Sequence, residues 1–189
     1  PRILDLASRF AALVLDEKPG EYPRLAYRML SPIERDSAAK QARVPLVVLL
    51  HGAGERGADN QAQLCNGVAE LLGDPVARRD FPCFFVLPPC PEGRRWVEVD
   101  WGAPSHAMPK SPSGPLSAVL ALIEQLKKSQ PIDPDRVYVI GLSMGGYGVW
   151  DLISRAPEAI AAAVAICGGG DESHAPRLVR PRELTLWAF

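Results

Sequence analysis

Between Arg136 and Val149 the chain reads RVYVIGLSMGGYGV, and this stretch restricts the fold more than any other. Val137–Ile140 is an apolar, β-branched and aromatic run of the kind that forms a buried strand. Gly141-Leu142-Ser143-Met144-Gly145 follows as G-x-S-x-G, and a helical pattern runs on from Tyr147. Strand, sharp turn and helix around that pentad are the setting of a nucleophile elbow, where a serine sits on a strained turn with its hydroxyl clear of the backbone. The flanking glycines let neighbouring backbones close in. A helix starting at the serine offers free N–H groups and the positive end of its dipole, which suits a developing oxyanion. The three fixed positions alone recur by chance in roughly one chain in fifteen or twenty of this length. The weight therefore rests on the strand before the pentad and on a second motif upstream. The competing reading is a glycine-rich turn with an incidental serine.

That second motif begins at Pro45–Leu50, PLVVLL, a continuous apolar run that reads as a parallel strand buried on both faces. It ends in His51-Gly52-Ala53-Gly54-Glu55-Arg56-Gly57, a glycine-rich loop whose backbone N–H groups can face a ligand. Within it, Glu55 and Arg56 could reach a ligand, but they suit better a local salt bridge that holds the loop.

Further apolar runs at Cys83–Leu87, Ala161–Cys167 and Leu184–Phe189 read as strands, and Tyr22–Leu30 as an early strand at a sheet edge, given Pro23. Helical spacing predicts helices over Asn60–Leu72, with Gly73 as its stop, over Leu116–Lys128, and over Tyr147–Arg155. Pro131–Asp135 reads as a turn into the strand that carries Ser143. Residues 1–18 fit either a helix or a helix followed by a strand at Ala12–Leu15, and Ser31–Arg43 reads as an exposed loop. Alternating strands and helices define an α/β fold with a mostly parallel sheet, helices on both faces, and the loops after Leu50, Leu87, Ile140 and Cys167 on one side. The 189 residues suit one domain, with the assignment of 1–20 left open.

Composition removes several classes of function. A net charge of −1 gives no sign of a nucleic-acid partner, and no apolar run approaches the ~20 residues of a membrane span. Cys65, Cys83, Cys90 and Cys167 have no metal spacing. An extended FFVLPP would keep Cys83 and Cys90 about 20 Å apart, so all four read as buried free thiols. The N-terminus lacks the pattern of a signal peptide, but residue 1 is Pro, so both a cytoplasmic and a secreted location stay open.

With PLVVLLHGAGERG, CFFVLPPCP, RVYVIGLSMGGYGVWDL and AAAVAICGGGD in that order, the chain resembles the α/β-hydrolase family. Within it, the likeness is to serine esterases of the phospholipase/carboxylesterase, polyhydroxybutyrate-depolymerase-like and feruloyl-esterase-like groups. The resemblance implies Ser143 as nucleophile, the N–H groups of Met144 and Ala53 as the oxyanion hole, and no metal or organic cofactor. It also implies that the backbone at His51 shapes the oxyanion loop. The long loop Cys90–Pro115 would cover the substrate, with Trp96 and Trp101 either in the pocket wall or packed as loop anchors.

In this family the acid and the base follow the nucleophile in the order Ser, Asp or Glu, His. The acid comes after the strand that here is LTLWAF. Inside the chain the alternative bases are His51, which precedes Ser143, and His174, which has Asp171 and Glu172 nearby but lies one strand too early; His106, in the long loop, ranks below both. The resemblance therefore implies that the triad Asp and His are not in this chain, and that a C-terminal strand and helix are missing from it. The exposed LTLWAF edge would then favour aggregation of the chain alone. The activity implied is hydrolysis of a small-molecule or polymer-derived carboxylic ester through an acyl-enzyme. Two alternatives are a serine peptidase or amidase of the prolyl-oligopeptidase type, and a non-catalytic scaffold that acts as a binding module.

Overall fold

The computed structural model describes residues 2–33, 42–178 and 184–189. The strands are β1 (Ala11–Leu15), β2 (Leu25–Leu30), β3 (Val44–Leu50), β4 (Phe84–Leu87), β5 (Ile132–Leu142), β6 (Ala162–Ile166) and β7 (Thr185–Ala188). They form one seven-stranded sheet in the order β1-β2-β4-β3-β5-β6-β7. The five strands from β4 to β7 run parallel, while β2 and β1 are antiparallel additions at one side. This is the mostly parallel α/β sheet that the sequence predicts.

Helices cover both faces. On one side α4 (Gly114–Ser129) and α5 (Met144–Arg155) pack on Leu46, Val48 and Leu50 of β3 and on Val137 and Val139 of β5. On the other, α1 (Arg2–Arg9) and α2 (Gly67–Gly73) pack on Leu49 of β3 and on Phe85 and Leu87 of β4. Alternate residues of one strand thus enter opposite cores, which is why the central strands are apolar throughout. Two short helices, α3 (Pro75–Asp80) and α6 (Ala175–Leu178), lie in the connections.

Several expectations need correction. The helix expected over Asn60–Leu72 is a single 3-10 turn at Ala62–Leu64 followed by α2. Local side-chain bonds break it: Asp59 Oδ1 accepts from the N–H groups of Gln61 and Ala62, and Asn66 Oδ1 accepts from Ala69 N–H as the N-cap of α2. Asp74 then caps α3. The strand near the N-terminus begins only at Leu25 and lies inside the sheet, because β1 forms the edge beyond it. Of residues 1–18, the described ones give the helix-then-strand alternative, as α1 and β1. The expected turn at Pro131–Asp135 is a bulge within β5, whose pairing with β3 shifts between Val44↔Ile132 and Leu46↔Val137. All four cysteines are free, but only Cys90 is buried; Cys83 is half-buried, and Cys65 and Cys167 are exposed. Of the loop expected over Ser31–Arg43, residues 34–41 lie outside the described residues.

Candidate active site

Ser143 joins β5 directly to α5. Its backbone has φ 53 and ψ −115, in the left-handed half of conformational space that a residue with a Cβ rarely occupies. Two features hold it there. Its N–H donates to Ile166 O at the end of β6, 2.7 Å away. The glycines on either side allow contacts no other residue would: a Cβ on Gly141 would collide with the carbonyl of Gly145, and a Cβ on Gly145 with the carbonyl of Leu50. The first turn of α5 is thereby pressed onto the C-terminal end of β3. Ser143 itself is exposed, and Met144, whose N–H opens α5, is buried by its side chain.

The loop after β3 meets this turn. A Cβ built on Gly52 would lie 3.9 Å from Ser143 Cβ and 3.6 Å from Leu142 O. Ala53 begins a single 3-10 turn, Ala53–Glu55, so its N–H has no partner within that turn. Arg56 does not pair with Glu55 as expected. Its Nε donates to Ala53 O at 2.9 Å, and its terminal nitrogen to Arg94 O at 3.4 Å, so it braces backbone. Glu55 Oε2 instead stands 4.0 Å from His51 Nδ1.

The histidines are spread over three environments. His51 is 2% exposed, with both ring nitrogens engaged: Nδ1 lies 2.7 Å from Gly52 O, and Nε2 accepts from Cys90 N–H at 2.8 Å. Burial lowers its pKa below the ordinary imidazole value, so it is neutral. His174 Nε2 sits 3.8 Å from Asp171 Oδ2. His106 packs on Tyr147, with ring centroids 5.5 Å apart.

Asp171 follows β6 and is tied down locally. It accepts from Met108 N–H at 2.7 Å, from Ser173 N–H at 2.9 Å and from Ser173 Oγ at 2.7 Å. The Met108 bond, with Ser173 next, holds its carboxyl down at about 2. It clamps the long loop. A second clamp is the paired Asp151 and Arg155 of α5, whose guanidinium also donates to Pro109 O at 2.6 Å.

The two tryptophans of that loop separate. Trp96 is fully buried and donates from Nε1 to His51 O at 3.0 Å, so it anchors the loop and does not line a pocket. Trp101 is half-buried, with the Arg95 guanidinium 4.3 Å above its ring and Tyr147 at 6.3 Å. A cavity of about 710 Å³ opens beside α5, between loop residues 103–107, the side chains of Tyr147 and Trp150, and the turn at 168–171. It flanks Ser143 without including it. Tyr147 lies one helical turn beyond Ser143 on α5. That spacing was a signal in the sequence for a pocket residue. Nothing local marked His106 or Trp150, because the loop and the turn that frame them come from distant segments.

Among the described residues, no group of three His, Cys, Asp or Glu side chains converges to hold a metal ion, and no helix is long and apolar enough to cross a membrane.

A model of the alpha/beta hydrolase fold matches residues 45–187, and the chain belongs to that family. A thermostable esterase of known structure is 36% identical and superposes with a TM-score of 0.82 over 97% of this chain and 47% of its own. Poly(3-hydroxyalkanoate) depolymerase C of Paucimonas lemoignei is 27% identical over 129 residues, 68% of this chain and 28% of the depolymerase. The S-formylglutathione hydrolase FrmB of Staphylococcus aureus shares the fold, with a TM-score of 0.57 and 15% identity over 85% of this chain and 58% of its own. The chain thus spans about half the length of the esterase and 28% of the depolymerase.

Proposed function

We propose that this chain carries the nucleophile and the oxyanion hole of a serine carboxylesterase. The observation that carries the reading is Ser143, held at φ 53 at the head of α5 and facing the Gly52–Ala53 turn. Strain of this kind costs of order 1–3 kcal/mol and persists where the surroundings impose it. In the proposed mechanism Ser143 Oγ attacks the ester carbonyl. The N–H groups of Ala53 and Met144 receive the tetrahedral oxyanion, and water later releases the acid from the acyl-serine.

The general base is not His51, whose two nitrogens are spent on backbone. His174 lies beside Asp171, a carboxylate already committed to Met108 and Ser173. Because the chain covers 47% of the esterase, we propose that the triad Asp and His belong to the part of the protein that corresponds to the remainder of that esterase. The cavity between Tyr147, Trp150 and the 168–171 turn is the proposed site for one side of the ester; its wall combines these aromatic rings with His106, Asp171 and Glu172. The names of the esterase and the depolymerase support an ester, of a small molecule or a polymer, over an amide.

The test, on the full-length protein that supplies the triad Asp and His, is turnover of p-nitrophenyl acetate against the matching p-nitroanilide, with Ser143→Ala as control. Ester turnover that disappears in the variant, with no anilide turnover, supports the reading. Anilide turnover that depends on Ser143 favours a peptidase. Turnover unchanged by Ser143→Ala removes the proposed nucleophile.

A further inference from the structure

We infer that the His51 side chain is the positioning residue of the oxyanion hole: its imidazole fixes the plane of the Gly52–Ala53 peptide, and so the direction of the Ala53 N–H. The inference rests on the reading of Ser143 as nucleophile and adds a role that the mechanism above does not use.

The argument starts from hydrogen-bond chemistry. Gly52 O can only accept, so the 2.7 Å contact requires a proton on His51 Nδ1. Cys90 N–H can only donate, so the 2.8 Å contact requires a lone pair on Nε2. Together they define one neutral tautomer and exclude the imidazolium. The ring is therefore a rigid bracket between the loop after β4, at Cys90, and the loop after β3, at Gly52.

A peptide unit is planar. The Gly52 carbonyl and the Ala53 N–H belong to the same plane and point in opposite directions. Holding the carbonyl on Nδ1 therefore holds the N–H. A hydrogen bond received at the carbonyl also polarises the unit, so the N–H becomes a stronger donor. The Gly52 carbonyl also accepts from Glu55 N–H at 3.4 Å, a longer bond than the one from Nδ1; glycine adds no Cβ to restrict rotation, and a Cβ at this position would lie 3.9 Å from Ser143 Cβ.

The bracket is itself secured. Trp96 Nε1 donates to His51 O at 3.0 Å and its ring meets the imidazole edge-on at 5.4 Å. Gly57 N–H donates to Cys90 O at 3.1 Å, a second tie between the same two loops. Arg56 fixes the next peptide through Ala53 O. The groups facing the ring that bear or can bear charge are Glu55, Arg56 and the Cys90 thiol. Glu55 favours the imidazolium and Arg56 disfavours it; burial, the largest influence, keeps the ring neutral, and it pushes the Cys90 thiol up to about 12.

Two substitutions separate the two bonds. The amide of His51→Asn reaches the Nδ1 position and can donate to Gly52 O; that of His51→Gln reaches the Nε2 position and can accept from Cys90 N–H. The first readout needs no catalysis. Long-range 1H–15N correlation on the protein gives the His51 tautomer, and the residual dipolar coupling of Ala53 N–H gives the orientation of its peptide. We expect the Nδ1–H tautomer, an Ala53 coupling preserved in His51→Asn, and a changed coupling in His51→Gln. The second readout is the rate at which Ser143 is labelled by a fluorophosphonate, expected to fall about 10–100-fold in His51→Gln and to stay within about threefold of wild type in His51→Asn. An Nε2–H tautomer in the wild-type protein overturns the inference even if neither variant folds. So does an Ala53 coupling unchanged in a folded His51→Gln. Labelling that survives Ser143→Ala instead defeats the proposed nucleophile and leaves the dipolar-coupling result to judge His51 separately.

Discussion

Gly145 rests directly on the main-chain carbonyl of Leu50, so the helix that begins at Ser143 and the strand that ends before the oxyanion loop touch backbone to backbone. Gly145→Ala would ordinarily strengthen a helix by about 1 kcal/mol. Here the new methyl group meets a carbonyl in the middle of the sheet, and neither partner can swing away. We predict a loss of about 2 kcal/mol or more in a urea titration, together with loss of Ser143 labelling. A variant as stable as wild type would show that the contact is looser than described.

Ser143 gives the opposite prediction. Glycine accepts φ 53 without strain, so Ser143→Gly relieves the turn while adding some freedom to the unfolded chain. The net expectation is a gain of about 1 kcal/mol in the same titration, with complete loss of reactivity. A destabilised Ser143→Gly would mean that the strain is not stored at this residue.

The long loop is held by two carboxylates that differ in kind. Asp151 and Arg155 are largely shielded from solvent, with side chains 4% and 13% exposed. Arg155→Met leaves Asp151 buried without its partner and is expected to cost about 3 kcal/mol. Asp151→Leu combined with Arg155→Met should recover part of that loss, as measured by a double-mutant cycle. It should also make the loop near Pro109 and Lys110 more susceptible to limited proteolysis, because the guanidinium donates to both carbonyls.

Asp171 acts through pH. Its carboxyl is held down at about 2, against an ordinary value of 3.8. Between those values the unfolded chain takes up a proton that the folded chain refuses, so stability falls as the pH falls. The contribution of Asp171 is thus fully present above pH 4 and is lost on acidification towards pH 2. Asp171→Asn should flatten this part of the acid unfolding curve, followed by circular dichroism. An unchanged curve would remove Asp171 as a clamp on Met108.

Much of this architecture was legible because buried parallel strands and a serine elbow leave local marks. The apolar runs became β3, β4, β6 and β7 within a residue or two at each end, and the stripe from Leu116 to Leu126 became the buried face of α4. What failed was decided by side chains that bond to backbone. Asp59 and Asn66 break what periodicity alone reads as one helix over Asn60–Leu72. Trp96 has the same composition cue as Trp101, yet its indole is turned inward onto His51 O. The bracket at His51 depends on Cys90, 39 residues away, and no local pattern encodes such a contact.

The most direct test of the central claim is to map a fluorophosphonate adduct by peptide mass spectrometry on the full-length protein and on its Ser143→Ala variant. A single adduct on the peptide bearing Ser143, absent from the variant, is the predicted result. An adduct on another residue, or one that persists in Ser143→Ala, would contradict it.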